Sequence, residues 1–476
     1  GKFGHSRIIY GGRDMKFRFE KKFIFMFLFI FSLLLSQSIY LYIQDISSSV
    51  GCEKLVIRLK EMLPAEKGFN IRQVNELNRI IPTEIATYYS LNDSVVSSEQ
   101  RSGQIQVYGV LGNYNEFNRV QLVEGSFIND NDNRLKKNVA VLEDNAAESL
   151  FGSKDVIGLE IKAYNRKFEI IGVTSTQRTI IEKLLDTEKP SIYIPMNTMG
   201  DLIPDAYIGN IEYGNVGKNL DIDFIMDKIY LMGKDSDDFI VEDFNILGTQ
   251  QKQKYDVLLF ILGICCLYAL TRLIIGIVKY IMSYSKGSLN DYYFFDMIKN
   301  GKRVYVKGTL AIFGIIILDI FIWKRISFSL YIPPDKIPDN PASITQILNV
   351  VTRTITEFIN YNYTYPVYII EVSNFFQRIN TIVFFLGLIF EILYLSYIKG
   401  RKSGKIKDDV SFLLNMGICL IGSILLSVIL IYLLGLPVTV SLPDVLLIWI
   451  SFIIISFMTD ELHLFESETG YNLLRK

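Results

Sequence analysis

Histidine occurs only at His5 and His463 in 476 residues, and cysteine only at Cys52, Cys265, Cys266 and Cys419. So few of either leave almost nothing for a metal cluster, a histidine-based triad or a disulfide framework. A surplus of charge is missing as well. The 49 basic residues stand against 50 acidic ones, which offers no basic balance for nucleic acid and does not describe a disordered polymer. The chain also lacks a phosphate-cradling loop of the form G-x-x-x-x-G-K-[ST]; the run Gly400 to Lys405 is too short and continues with Ile406. With no catalytic constellation in sight, the chain is not read as an enzyme, and no catalytic, cofactor-binding or metal-binding residue is assigned.

What the chain has in excess is apolar residues: half of it is hydrophobic and 13% aromatic, yet 21% is still charged, so the apolar mass must be gathered into segments. A bilayer core of about 30 Å needs about 20 helical residues at about 1.5 Å each. Phe23 to Ile43 meets this without a charge and follows Lys21-Lys22 directly. Its length and lack of a small-residue cleavage site read as an uncleaved anchor. Residues 1–14, ahead of Met15, read as a leader or an appended remnant. Further spans are expected at Val257–Ile281, Gly308–Trp323, Ile379–Ile398, Phe412–Leu434 and Val445–Met458, making about six. Lys and Arg number seven up to Lys22, six from Lys279 to Lys307 and five from Lys399 to Lys407. Six spans put all three groups on one side, which makes both termini cytoplasmic in a multi-pass protein of the cell membrane.

The expected fold is therefore an α-helical polytopic membrane protein with a large extracytoplasmic α+β domain inserted between the first and second spans. Its divisions are a cytoplasmic segment 1–22, a first span 23–43, an exterior domain 44–254 with stalk helices, and a C-terminal membrane region 255–476. That last region holds a cytoplasmic loop 282–307 and an exterior loop 326–378. Arg272, Asp319 and Glu391 fall inside spans, where a lone charge costs several kcal/mol, so a pairing of Arg272 with Asp319 or Glu391 is expected. An ion or proton pathway is the alternative reading of the three.

In the exterior segment, Leu55, Leu59, Met62 and Leu63 at helical spacing predict an amphipathic helix leaving the membrane, and Ile222, Ile225, Met226 and Ile229 predict another near the far end. Strand patterns lie at Ile105–Val110, Asn138–Leu142, Phe168–Val173 and Ser191–Ile194. A helix is predicted over Ala146–Phe151 with Asn145 as its N-cap and Gly152 as its stop. The exterior loop shows Ile344, Ile347, Leu348, Val351, Ile355 and Phe358 on one helical face. That face is expected to pack against the stalk or bundle; lying on the outer membrane surface or gripping a lipid-like substrate is the alternative. Cys52 is expected to be a lone exterior thiol.

The order Val107-Tyr108-Gly109-Val110, then Val123-Glu124-Gly125-Ser126-Phe127, then Asn138 to Leu142 with Ala146 to Gly152, resembles the periplasmic core domain of MacB-type ABC transporter permeases. Ile157 to Ile161, Phe168 to Val173, Ser191 to Thr198 and the helix at Asp221–Met232 continue the resemblance in register. The chain is thus similar to the MacB/FtsX-like permeases. That likeness implies a separate ABC ATPase subunit, carrying ATP and Mg, which would drive the chain, paired with a second permease copy or a paralogue. It also implies a coupling helix in the cytoplasmic loop at Leu289–Gly301, with Phe294, Phe295, Met297 and Ile298 as its apolar face and Gly301 and Lys302 closing it. The glutamate and glycine usual near the start of that motif are not evident. Motion of the spans would pass to the exterior domain and displace a peptide, an antibiotic or a lipid-linked molecule. Membrane lipids and an accessory extracellular protein are further partners, and nucleic acid is not. Two other readings stand beside this one: an FtsX-like regulator of an extracellular cell-wall hydrolase, and a membrane sensor signalling to a kinase. The family pattern has four spans, so either the hairpin Gly308–Ile398 is inserted or a terminal hairpin is appended.

Overall fold

A computed structural model of the chain describes residues 21–47, 54–60, 63–81, 85–118, 120–176, 190–203, 207–214, 222–289, 293, 297–299, 301–333, 336–338, 340–359, 368–398 and 406–456. Residues 1–14, Cys52, Met62, Phe294 and Phe295 lie outside these. After α1 (Lys21–Ser47) come β1 (Leu55–Leu59), α2 (Ile71–Ile80), β2 (Ile85–Ser97), β3 (Ser102–Val110), α3 (Tyr114–Phe117), β4 (Val120–Gly125), α4 (Asp130–Arg134) and β5 (Val139–Glu143). There follow α5 (Asp144–Phe151), β6 (Glu160–Ala163), β7 (Arg166–Thr176), β8 (Ser191–Pro195), α6 (Met196–Leu202), β9 (Asn210–Gly214), α7 (Ile222–Leu231) and β10 (Phe239–Asp243). The rest is helical: α8 (Phe244–Ser288), α9 (Lys302–Ile326), α10 (Ile344–Ile359), α11 (Tyr368–Ile398), α12 (Ile406–Leu433) and α13 (Leu442–Ser456).

The strands form one mixed sheet in the order β10-β1-β9-β2-β3-β8-β5-β7-β4, with β6 beside β2 and β7. β2 is long enough to belong to two halves: residues 85–89 pair with β9 and residues 90–97 with β3. Only β3 with β8 and β5 with β7 run parallel among the described pairs, so the sheet domain is α+β. In one half, Ala146, Ala147 and Leu150 of α5 join Val107, Ala140, Phe168 and Ile192 in a core. In the other, Leu55 and Ile57 of β1 join Val74 and Leu77 of α2 and Ile225 and Ile229 of α7. Val56 falls on the opposite face of β1 and enters a cluster with Tyr89, Tyr108, Tyr114 and Tyr193, since successive strand residues alternate sides.

Two local expectations are corrected here. Leu55–Leu59 is a strand, not the start of an amphipathic helix. Val56 and Ile57 are β-branched, and because β1 is buried on both faces its apolar residues form a run that mimics helical spacing. The N-cap of α5 is Glu143 rather than Asn145, which sits in the first turn and donates its backbone N–H to the Asp144 carboxylate at 2.9 Å. Gly152 does end that helix, in the left-handed region at φ 71°, where a Cβ is strained.

Five described helices are long and apolar enough to cross a bilayer: Phe23–Asp45, Phe244–Ser288, Lys302–Ile326, Val372–Ser396 and Leu414–Leu433; Leu442–Ser456 is apolar but shorter. Each overlaps an expected span. α8, at 45 residues, is about 68 Å long at about 1.5 Å per residue. That is about twice the bilayer core, so Val257–Ile281 is only its apolar middle. α1 packs on α11, α12 and α8, whereas α9 packs on α8. A Cβ on Gly387 of α11 would lie 3.1 Å from Leu258 of α8 and 3.3 Å from Ser32 of α1. Glycine there lets three helices approach closely, which in a membrane replaces the missing hydrophobic drive with packing. Tyr42 lies near Phe376 at 4.7 Å and Phe29 near Phe452 at 6.2 Å, fixing α1 against α11 and α13.

Candidate functional site

The sheet domain and the helices meet at a joint made by the last residue of one strand and the first residue of one helix. Asp243 ends β10 and also caps α8, its carboxylate accepting from the Asn245 N–H at 2.8 Å. No linker separates strand from helix. The Phe244 N–H donates to the Lys54 carbonyl at 3.0 Å, so the strand next to β10 is tied to the same point. The Lys54 ammonium is buried: it pairs with Glu212 of β9 at 2.9 Å, donates to the Phe117 carbonyl at 3.1 Å and lies 5.7 Å from the Phe244 ring centroid. Glu212 accepts further from Tyr89 Oη at 3.2 Å and Asn118 Nδ2 at 3.3 Å. A buried charge survives only when it is matched in this way.

The aromatic cluster continues from Tyr89, which lies 5.1 Å from Tyr114; Tyr114 and Tyr108 each approach Tyr193, at 5.6 and 5.4 Å. Burial, with the Glu212 charge beside it, holds the Tyr89 phenol well above the ordinary tyrosine range. Burial and the neighbouring phenols do the same for Tyr114. These rings stay neutral and serve as rigid packing, not as acids.

A second set of contacts gathers on α8 just beyond the joint. Gln251 accepts from Asn380 Nδ2 at 3.1 Å, and Lys254 Nζ donates to the Gln377 carbonyl at 3.2 Å and to Thr381 Oγ1 at 2.7 Å, both on α11. Gln253 exchanges two hydrogen bonds with the Tyr331 backbone, at 2.9 and 3.3 Å. Tyr255 Oη donates to Asp444 of α13 at 2.7 Å, and Asp444 also pairs with Arg325 of α9 and accepts from Ser441. One turn of α8 thus holds α11, α9, α13 and the loop after α9. The sequence reading missed both sets. Their signal was the polar run Gln250 to Lys254 directly before an apolar span, and a charge set against each of two apolar strands, Lys54 ahead of β1 and Glu212 within β9.

The residues expected from sequence are not brought together. Arg272 is exposed on α8 and makes no ion pair with Asp319 or Glu391 among the described residues. Both Glu391 carboxylate oxygens and one of Asp319 are buried without a hydrogen-bond partner there. Residue type gives no helix rotation, so the expected pairing fails on orientation. At the other end of α8, Ser285 Oγ meets Tyr305 Oη at 2.7 Å, and the Tyr284 and Tyr305 rings lie edge to face at 6.1 Å. A Cβ on Gly301 would come within 2.8 Å of Tyr284, so this glycine closes the hairpin. Met297 is buried and Ile298 is 41% exposed, with Lys302 exposed. Of the coupling candidates, Met297 faces inward and Ile298 and Lys302 face outward, while Phe294 and Phe295 lie outside the described residues.

The fold and joint define a polytopic membrane protein whose sheet domain is spliced directly onto membrane helices. Residues 24–238 match the family described as the MacB-like periplasmic core domain. This stretch is thus a MacB-like periplasmic core domain, as the motif order had indicated. Among solved structures, it is similar to the periplasmic region of MacB from Actinobacillus actinomycetemcomitans, at 17% identity and a TM-score of 0.35, over 44% of this chain and 98% of that one. It is also similar to the extracellular domain of the noncanonic ABC-type transporter YknZ from Gram-positive bacteria, at 16% identity and a TM-score of 0.31, over 40% of this chain and 100% of that one. No curated protein matches the chain.

Proposed function

We propose that this chain is the transmembrane permease subunit of an ABC transporter of the MacB/FtsX-like mechanotransmission type, powered by ATP and Mg on a separate ATPase subunit. The observation that carries this reading is the linkerless passage from β10 into α8, locked by the Phe244 bond to Lys54. A tilt or shift of α8 driven from its cytoplasmic end reaches β10 at once, and through Lys54 and Glu212 it reaches β1 and β9. A packed core and a satisfied charge network transmit such strain instead of absorbing it. The moving exterior domain then displaces a peptide, an antibiotic or a lipid-linked molecule already outside the inner leaflet, so a polar channel is not required. The permease works as a pair, with a second copy or a paralogue. Ile298 and Lys302, exposed at the inner hairpin, are the residues that would meet the ATPase.

Affinity purification from native membranes tests this. An ABC ATPase subunit is expected to accompany the chain, and Ile298→Asp is expected to abolish that association while leaving hydrogen-exchange protection of the sheet domain unchanged. Met297→Asp is expected to loosen the inner hairpin itself, because Met297 is buried. A reproducible complex with no ATPase, or full ATPase association by Ile298→Asp, would sink the motor-driven reading.

A further inference from the structure

We infer that α10 lies along the bilayer surface on the side of the sheet domain, with its apolar face among the lipid acyl chains. Ile344, Ile347, Leu348, Val351, Ile355 and Ile359 all fall on one side of this helix, within about a third of its circumference at about 100° per residue. All six are exposed, from 41% at Ile347 to 74% at Ile344, so the packing against stalk or bundle expected from the sequence does not occur among the described residues. The opposite side carries Gln346, Asn349, Arg353 and Thr356. Thr352 and Thr356 donate back to the carbonyls four residues earlier, at 2.8 and 2.9 Å, so these hydroxyls are satisfied without water.

The place of the helix in the chain selects lipid over other covers. α10 stands between two candidate spans, and its lead-in is pinned where Tyr331 bonds Gln253, two residues before the Tyr255 that holds α13. Ile344 comes thirteen positions after Tyr331, and Tyr368 nine positions after Ile359. At about 3.5 Å per residue at most, the two tethers reach about 45 Å and about 32 Å, so both ends of the helix stay tied to spans and the bilayer surface lies within their reach. Leu310, Phe313, Ile317 and Ile320 of α9 are exposed, and so are Leu330, Ile332 and Ile337 in the stretch of sequence that leads from α9 to α10. The chain from α9 to α10 thus keeps presenting large apolar side chains that lipid, the cover of α9 as a span, suits better than water. The helix sequence has one Arg and one Glu, so apolar burial and not headgroup charge holds it.

The test uses the full chain, with Cys52, Cys265, Cys266 and Cys419 replaced, in liposomes of phosphatidylcholine with varied phosphatidylglycerol. Spin labels are placed singly at Leu348, Val351 and Ile355 and at Asn349, Arg353 and Thr356, and their accessibility to oxygen and to a water-soluble nickel chelate is read. The first three are expected to favour oxygen and the second three nickel, with the ratio reversing at the helical period and independent of anionic lipid. Apolar positions shielded from both reagents would mean a protein cover, and apolar positions open to nickel would mean water; either overturns the inference. A second measurement leaves every cysteine in place: a photoactivatable phosphatidylcholine should label the peptide 344–359 as well as α9. Labelling of α9 alone would equally refute it.

Discussion

Replacing Lys54 by Met removes the cation from a site where Lys54 is 3% and Glu212 1% exposed. Breaking one side of a buried ion pair costs about 3–5 kcal/mol, because the remaining charge is left in a poorly solvating place. Glu212 keeps Tyr89 Oη and Asn118 Nδ2 as donors, but at 3.2 and 3.3 Å both are long for bonds to a carboxylate, so they recover only part. The expected loss is about 3 kcal/mol. The double variant Lys54→Met/Glu212→Gln leaves no charge and still offers Tyr89 an acceptor, so the loss should fall to about 1 kcal/mol, a rescue of about 2 kcal/mol relative to Lys54→Met. Hydrogen exchange of the full chain in nanodiscs reads this locally. In Lys54→Met the amides of β1 and β9 should exchange about a hundredfold faster, since about 1.4 kcal/mol is tenfold. In the double variant most of that change should be reversed. Unchanged exchange in the single variant, or a double variant as labile as the single one, would refute the reasoning that this pair locks the joint.

Tyr89, Tyr114 and Tyr213 are held above the ordinary tyrosine range of about 10 by burial. The unfolded chain therefore loses these protons first, so the stability of the sheet domain should be intact below about pH 10 and fall as pH rises beyond it. Tyrosinate absorbance should show a late phase coincident with unfolding; smooth titration of every tyrosine in the folded protein would contradict this. Arg325→Leu leaves Asp444, 7% exposed, with Tyr255 and Ser441 but no cation. Because Arg325 is itself 37% exposed, the loss should be about 1–3 kcal/mol, seen as a lower unfolding temperature in detergent. Asp444→Asn in the same chain should restore part of it, and no restoration would mean the pair is not what Arg325 contributes.

How much was legible in advance depends on the range of each interaction. The spans were readable because twenty apolar residues in a row have few other uses, and all six expected segments overlap helices. The strands at 105–110, 138–142, 168–173 and 191–194 were readable from short apolar runs punctuated by Gly, Asn and Pro, as was α7 from its 3.6-residue period. β1 was misread because burial on both faces erases the alternation that marks a strand. Arg272, Asp319 and Glu391 were correctly placed in helices, yet their rotation about the helix axes is set by packing at positions such as Gly387 and Gly263, where the touching residues Leu258 and Ile326 are distant in sequence.

The sequence by itself determined that this is a membrane chain with a MacB-like exterior domain, because hydrophobic length and local periodicity are properties of contiguous residues. Tertiary structure alone decided that Lys54 meets Glu212, a partner 158 residues away by the numbering, and that Asp444 meets Tyr255 and Arg325. It also decided that β10 enters α8 without slack and that α10 finds no protein to cover it among the described residues. Ion pairing and burial depend on distance in space, and the chain fixes that distance only once its helices and strands have packed.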